Sequence, residues 1–183
     1  MTSNPSVIGI YGGTFDPVHN AHIVPVRQAA LEVDINSITL LPCHIPPHKD
    51  SPHTKASDRL AMASLVCEHD AMFKVDDREL RRHKASYTID TVEELRNENP
   101  ENPICFFIGM DSMVNFHKWY RWQDILDNCH IVVSARPGYL IQPEHNLDDY
   151  LQQRITADKS ELHQQLNGKI YFAQTDKLSL IHI

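Results

Sequence analysis

The sequence predicts an α/β fold, a mostly parallel sheet with helices on both faces. Three observations predict it. Short apolar runs without polar alternation, VIGIY at 7–11, ICFFI at 104–108 and HIVVS at 130–134, have the pattern of strands buried on both faces. Segments of helical periodicity separate such runs, and the alternation recurs five times, the order of a parallel sheet joined by right-handed crossovers. The first run ends in Gly12-Gly13, a turn suited to feeding a strand into a helix.

Taken in order, the strand at 7–11 leads through the glycines into a helix over roughly 20–33, where Ile23, Val26, Ala30 and Val33 recur at spacings of three and four. A strand at 37–41 runs into a loop rich in proline and histidine at 42–55, a rigid connection of the kind that borders ligands. Ser57 or Asp58 is expected to cap a helix reaching about 69, with Leu60, Ala63 and Cys67 on one side. A short strand at 71–75 precedes the charged stretch DDRELRRHK, and Thr88 is placed to cap a helix over 89–97 whose inward stripe is Ile89, Val92 and Leu95. The strand at 104–108 leads to a helical region at 112–128, broken around the aromatic cluster HKWYRW, and then to the strand at 130–134. Beyond a turn-rich segment from 137, a helix near 148–165 and a last strand at 169–173 complete the pattern.

Composition narrows the class of function. The 183 residues suit one domain, and 42 % hydrophobic with 22 % charged residues describe a soluble globule, neither collagen-like, disordered nor membrane-embedded. The formal charge of −7 disfavours a nucleic-acid footprint while allowing a locally positive pocket for a small phosphorylated ligand. No apolar span is long enough for a membrane helix, and the N-terminus lacks the basic flank of a signal peptide, so no membrane partner and a cytoplasmic location are expected. Cys43, Cys67, Cys105 and Cys129 are too widely spaced for a disulfide framework and read as reduced thiols.

The chemistry concentrates in Gly12-Gly13-Thr14-Phe15-Asp16-Pro17-Val18-His19-Asn20-Ala21-His22. Glycines at the end of a strand let backbone N–H groups approach phosphate, and the following helix N-terminus adds a favourable dipole. His19 and His22, three apart, can share one helical face toward the same ligand; the alternative is that they cap or pack against the turn. Neither the GxGxxG fingerprint of dinucleotide binding nor the GxxxxGKS/T of a P-loop is present. His44, His48 and His53 do not combine into a zinc-binding spacing, and no protein-held metal is expected. Gly109 and Asp111 follow a strand, where open α/β sheets present ligand contacts; Asp111 can also serve as the N-cap of the next helix.

GGTFDPVHNAH at 12–22, LPCHIPPHK at 41–49, DDRELRRHKASYT at 76–88, FIGMDS at 107–112, FHKWYRWQDIL at 116–126 and ARPGY at 135–139 together resemble the bacterial nicotinate-nucleotide adenylyltransferases. These belong to a nucleotidyltransferase superfamily related to class I aminoacyl-tRNA synthetases. The resemblance runs from 7 to about 175 and implies a Rossmann-like fold of nucleotidyltransferase type. It implies transfer of the AMP moiety of ATP to nicotinate mononucleotide, giving nicotinate adenine dinucleotide and pyrophosphate, with magnesium carried on ATP and pyrophosphate oxygens. Related acceptors, nicotinamide mononucleotide or phosphopantetheine, and a nucleotide-binding domain without turnover stay open as alternatives.

By the same resemblance, His19 and His22 would face the ATP phosphates, His22 foremost, with Gly12, Gly13, Thr14 and Phe15 supplying close backbone contacts. His48 and Lys49 would lie beside phosphate in the proline loop, although Lys49 also fits a solvated loop charge. Gly109 and Asp111 would orient the nucleotide, and Arg136 would add phosphate charge or clamp the loops. Backbone N–H groups of Thr88 and Ile89 would approach the nicotinate carboxylate, Trp119 would stack on the pyridine and Tyr120 would help recognise the carboxylate. Trp119 and Tyr120 also read as core aromatics.

Two departures from the family pattern stand out. Ala21 replaces the glycine of HxGH, adding a methyl where the backbone approaches ATP most closely. The family's C-terminal serine/threonine-rich motif with its arginine is not found before Ile183, and LSLIHI at 178–183 resembles a translated sequencing adapter. The expectation is one domain over 1–177, incomplete at its C-terminus, followed by a non-native tail at 178–183.

Overall fold

In a computed structural model that describes residues 6–45, 52–134 and 147–174, strand and helix alternate as the apolar runs require. β1 (Ile8–Gly13) leads to α1 (Asn20–Glu32), β2 (Ile38–Pro42) to α2 (Ala56–His69), and β3 (Phe73–Val75) to α3 (Thr88–Glu98). β4 (Ile104–Gly109) continues directly into α4 (Met110–Val114), a 3-10 turn at Phe116–Lys118 and α5 (Trp122–Leu126). β5 (His130–Ser134), α6 (Asp149–Gln152), β6 (Ile155–Thr156), α7 (Glu161–Gln164) and β7 (Ile170–Ala173) follow.

Among the described residues the strands form one seven-stranded parallel sheet in the order β3-β2-β1-β4-β5-β7-β6. Successive side chains of its central strands enter different cores. Phe106, Ile108, Ile131 and Val133 pack on one face with Val92 and Leu95 of α3 and Ile125 of α5. Cys105, Phe107 and Val132 pack on the other with Val26 and Ala30 of α1 and Ala63 of α2. Both faces being covered explains why the strand sequences are continuously apolar. The chain moves outward from β1 through β2 to β3 and then returns to β4 on the other side of β1, so strand order reverses between β1 and β4. A crevice is left beyond the carboxyl ends of those two strands, where open sheets bind ligands.

Several expected boundaries shift for identifiable reasons. The helix expected near 148–165 is instead α6 and α7 with the short strand β6 between them. Polar side chains compete with the helical ladder there: Thr156 Oγ1 accepts from the Asp158 N–H at 3.0 Å, and Asp158 Oδ1 accepts from the Ser160 N–H at 2.9 Å. β6 then adds to the sheet edge by pairing with β7. α2 is capped at Lys55, not Ser57 or Asp58, and α3 at Tyr87, with Thr88 its first residue. The region after β4 is broken around its aromatics as expected, with Arg121 in a left-handed conformation at φ 51° redirecting the chain into α5. All four cysteines are free, and Cys43, Cys105 and Cys129 are buried. Among the described residues no helix is long and apolar enough to cross a membrane.

Gly9 is fixed by packing. A Cβ there would meet Ile38 Cδ1 at 2.6 Å and the Ser37 carbonyl oxygen at 2.8 Å, whereas one on Gly12 would meet nothing closer than Phe106 at 3.5 Å. Gly9→Ala is therefore expected to cost about 1–3 kcal/mol in urea unfolding, and Gly12→Ala distinctly less. Equal effects would contradict this packing.

His130 supplies a second test. Its Nε2 donates to the Gln165 carbonyl at 2.8 Å, while Nδ1 accepts from the Lys169 N–H at 3.1 Å, so the neutral ring is fully paired and a second proton would face a donor. Burial, assisted by the Arg96 and Lys169 charges, pushes its pKa down from 6.5 to about 4. Between those values the unfolded chain binds a proton that the folded chain refuses, so stability falls as pH drops from 6.5 toward 4, by about 3 kcal/mol at most. Unfolding at a series of pH values should show this slope in the parent and a shallower one in His130→Asn.

Candidate active site

The turn after β1 is shaped by what its residues lack. A Cβ on Gly13 would lie 2.8 Å from the Phe15 ring, so only glycine lets that ring fold back against the strand end. Phe15 has a left-handed backbone at φ 49° and is 1 % exposed; burial of its ring offsets the unfavourable conformation. The ring meets His22 edge-on, with centroids 5.7 Å apart and planes at 87°. His19 and His22 stack at 3.9 Å. His19 is the extended N-cap of α1, and its carbonyl accepts from the N–H groups of His22 and Ile23, while its side chain takes no part in capping.

Two contacts hold this turn from outside. Asp16 Oδ2 accepts from the N–H groups of His53 and Thr54 at 3.0 and 3.3 Å, and the Thr54 hydroxyl, aided by these two amides, holds its carboxyl below the usual carboxylate range. Arg59, 1 % exposed on α2, donates from Nη1 to the Thr14 carbonyl at 2.6 Å and the Cys43 carbonyl at 2.8 Å. It also donates to the carbonyls of Thr54 and His44 at 3.3 and 3.4 Å. One guanidinium thus joins the segments after β1 and β2 to the start of α2.

The crevice between β1 and β4 is occupied by two adjoining cavities of about 560 and 400 Å³. Gly12, Gly13, Thr14, Asp111, Ser112 and Trp119 border both. The smaller is further lined by Phe15, His19, His22, Gly109 and Ser134, the larger by Thr88, Thr91, Glu79, Ser86 and Lys118. Trp119 rests on Phe116 and Phe106, at centroid distances of 5.3 and 6.2 Å.

Most residues singled out in the sequence therefore meet at one cleft, but not all. Ile89 is fully buried beneath the larger cavity rather than lining it. Tyr120 is 55 % exposed and borders neither cavity; its ring lies 4.8 Å from that of Tyr87, because the break before α5 turns neighbouring aromatics in different directions. Asp111 is not an N-cap: α4 starts two residues earlier than expected, at Met110, with Gly109 as its N-cap, and Asp111 Oδ1 folds to within 2.7 Å of where a Gly109 Cβ would stand. His48, Lys49 and Arg136, and the tail at 178–183, lie outside the described residues.

Sequence reasoning missed Arg59, Glu79, Ser86, Thr91, Ser112, Asn115, Lys118 and Ser134. Arg59 carried a readable signal, since it precedes Ala63 by four residues and so shares its buried helix face. Glu79 carried none, because its partners come from separate segments. Thr91 Oγ1 donates to it at 2.7 Å, and burial pushes its carboxyl pKa up against the opposing pull of Thr91, Arg82 and Ser86.

The carboxylates at the cleft are Asp16, engaged by backbone amides, Glu79, engaged by hydroxyls, and Asp111. Among the described residues no three His, Cys, Asp or Glu side chains gather as a metal site. Asp111 is the carboxylate bordering both cavities that could hold a divalent cation.

Comparison with known proteins agrees with this geometry. A family model described as cytidylyltransferase-like matches residues 10–175. A Psychromonas ingrahamii protein described as "Probable nicotinate-nucleotide adenylyltransferase" is 41 % identical over 98 % of this chain and 84 % of its own length. One from Serratia proteamaculans with the same description is 45 % identical, over 93 % of this chain and 79 % of its own length. The chain belongs to the nicotinate-nucleotide adenylyltransferase family. Among solved structures, the Plasmodium falciparum nicotinic acid mononucleotide adenylyltransferase complexed with NaAD covers 96 % of this chain and 78 % of its own, with a TM-score of 0.65 and 19 % identity, a likeness of fold.

For this adenylyltransferase chain, Arg59→Met should lower stability by about 3 kcal/mol, since it strands several buried carbonyls, and Arg59→Lys should recover only part of that loss. A guanidinium-chloride midpoint unchanged in Arg59→Met would contradict the role assigned to Arg59.

Proposed function

We propose that this chain transfers the adenylyl group of ATP to nicotinate mononucleotide, forming nicotinate adenine dinucleotide and pyrophosphate. The observation that carries the reading is the common border. Gly12, Gly13, Thr14, Asp111 and Trp119 line both cavities, so ligands in the two would meet there. A cavity with a helix N-terminus and two imidazoles suits the polyphosphate of ATP. One with a Trp119 ring, hydroxyls and the first turn of α3 suits a flat, anionic acceptor.

In this reading an oxygen of the acceptor 5′-phosphate attacks the α-phosphorus, and the bond from that phosphorus to the oxygen bridging to the β-phosphate breaks. Pyrophosphate leaves with the bonding electrons. The attacking oxygen is already anionic, so no protein nucleophile and no general base are needed; the protein aligns the reactants and neutralises charge. His22 and His19 donate toward the departing phosphates, and the N–H groups opening α1 add the helix dipole. Asp111 orients the nucleotide and Trp119 stacks on the pyridine. His48, Lys49 and Arg136 would add positive charge, and the Thr88 and Ile89 N–H groups would receive the nicotinate carboxylate, with Tyr120 at the rim. A magnesium ion, which Asp111 would help to hold, would supply further charge neutralisation. We read residues 1–177 as one such domain, acting in the cytoplasm without nucleic acid or membrane.

Pyrophosphate release from ATP should depend on nicotinate mononucleotide. Release that is independent of nicotinate mononucleotide, or absent with it, would contradict the reading. His22→Ala should lower kcat/KM by about 10²–10³-fold with little change in the acceptor KM. Trp119→Ala should instead raise the acceptor KM and leave the KM for ATP nearly unchanged.

A further inference from the structure

Glu79 is a buried carboxyl at the acceptor-side cavity that adenylyl transfer, as described, does not use. Two chains of donors converge on it. Arg82 Nη1 donates to Thr91 Oγ1 at 2.8 Å, which orients the Thr91 hydroxyl proton toward Glu79 Oε1 at 2.7 Å. From the opposite side, the His44 N–H donates to Ser86 Oγ at 3.0 Å, and the Ser86 hydroxyl hydrogen-bonds Glu79. The Ser86 N–H also donates to the Ile45 carbonyl at 3.0 Å.

These partners come from separate pieces of chain. Thr91 stands in the first turn of α3, Ser86 two residues before that helix begins, and His44 and Ile45 after β2. Glu79 is the point at which the three are tied into one wall. Among the described residues the N-cap Tyr87 gives α3 no side-chain cap, so the first N–H groups take their place from the turn itself. Arg82 is also paired with Glu94 at 2.7 Å, so the donor behind Thr91 is itself fixed on α3.

We propose that Glu79 is a positioning residue for acceptor selection: by accepting from Thr91 and Ser86 at once, it holds the first turn of α3 open toward the cavity for an anionic ring substituent. The inference rests on the adenylyl-transfer reading and deepens it. A carboxylate accepts at both oxygens, whereas a glutamine accepts at one and must donate at the other. Glu79→Gln keeps the volume but leaves one oxygen to accept, so either Thr91 or Ser86 must turn its proton away and accept from the amide instead, which loosens that side of the wall. A loosened turn harms an acceptor whose carboxylate uses those N–H groups more than one bearing a neutral amide.

The test compares kcat/KM for nicotinate mononucleotide and nicotinamide mononucleotide in the parent, Glu79→Gln, Thr91→Val and Thr91→Ser, with thermal melting of each. The expected result is a fall of about tenfold in the acid-over-amide ratio in Glu79→Gln and Thr91→Val, carried by the KM of the acid acceptor. The ratio should be retained in Thr91→Ser, which keeps the hydroxyl, and the KM for ATP should not move. An unchanged ratio in Thr91→Val overturns the proposal even if Glu79→Gln does not fold. A ratio that rises in Glu79→Gln would mean that the carboxylate acts by repelling the acid acceptor, and also overturns it. A parent protein that adenylylates neither acceptor would remove the functional reading and this inference together; a parent active on the acid acceptor with unaltered variant ratios removes the inference alone.

Discussion

A glycine pair at the end of β1 can form the floor of a cleft only if the chain beyond it is fixed by something else, because glycine contributes no packing of its own. Arg59 does this. Its guanidinium is buried under the turn and satisfies carbonyls of Thr14, Cys43, His44 and Thr54, while the Asp16 carboxylate gathers the amides of His53 and Thr54. Main-chain atoms that would otherwise need water are thereby paired, and the segments after β1 and β2 are held at a set distance. The stacked imidazoles and the inward Phe15 ring then follow from the path that this anchoring imposes.

The second constraint is topological. Reversal of strand order between β1 and β4 places two strand ends side by side without a connecting loop between them. Gly12 and Gly13 close one side, Gly109 and Asp111 the other, and Trp119 reaches the same space from the break between α4 and α5. The same few groups face two cavities, so in the proposed reading a ligand in one would lie against a ligand in the other. Orientation and fixed charge would then suffice for a transfer between two phosphates, with no strong base or nucleophile required.

Much of this was legible in the sequence, for physical reasons. ICFFI and the IVV of HIVVS lie between two cores, so these residues must be apolar and the strands announce themselves. The glycine turn and paired histidines are contiguous in sequence, and local geometry is enough to bring them together. What depends on distant main-chain partners was not legible: Arg59 binds carbonyls, which every residue has, and Glu79 is defined by hydroxyls from two other segments. Trp119 and Tyr120 diverge because Trp119 leaves the 3-10 turn with an extended backbone, which sends neighbouring side chains to opposite sides, a local change that composition does not betray. The expected helix at 148–165 had leucines at plausible spacings, but Thr156 and Asp158 turn their side chains onto the backbone and interrupt it.

The most direct measurement of whether the two ligands meet at the shared border is the stereochemical course at the α-phosphorus, followed with ATP made chiral there by sulfur and isotopically labelled oxygen. Inversion of configuration in the dinucleotide is expected, because a single in-line displacement occurs between neighbours in one cleft. Retention would require two displacements through an adenylylated protein group, and would contradict direct transfer across the border formed by Gly12, Gly13, Asp111 and Trp119.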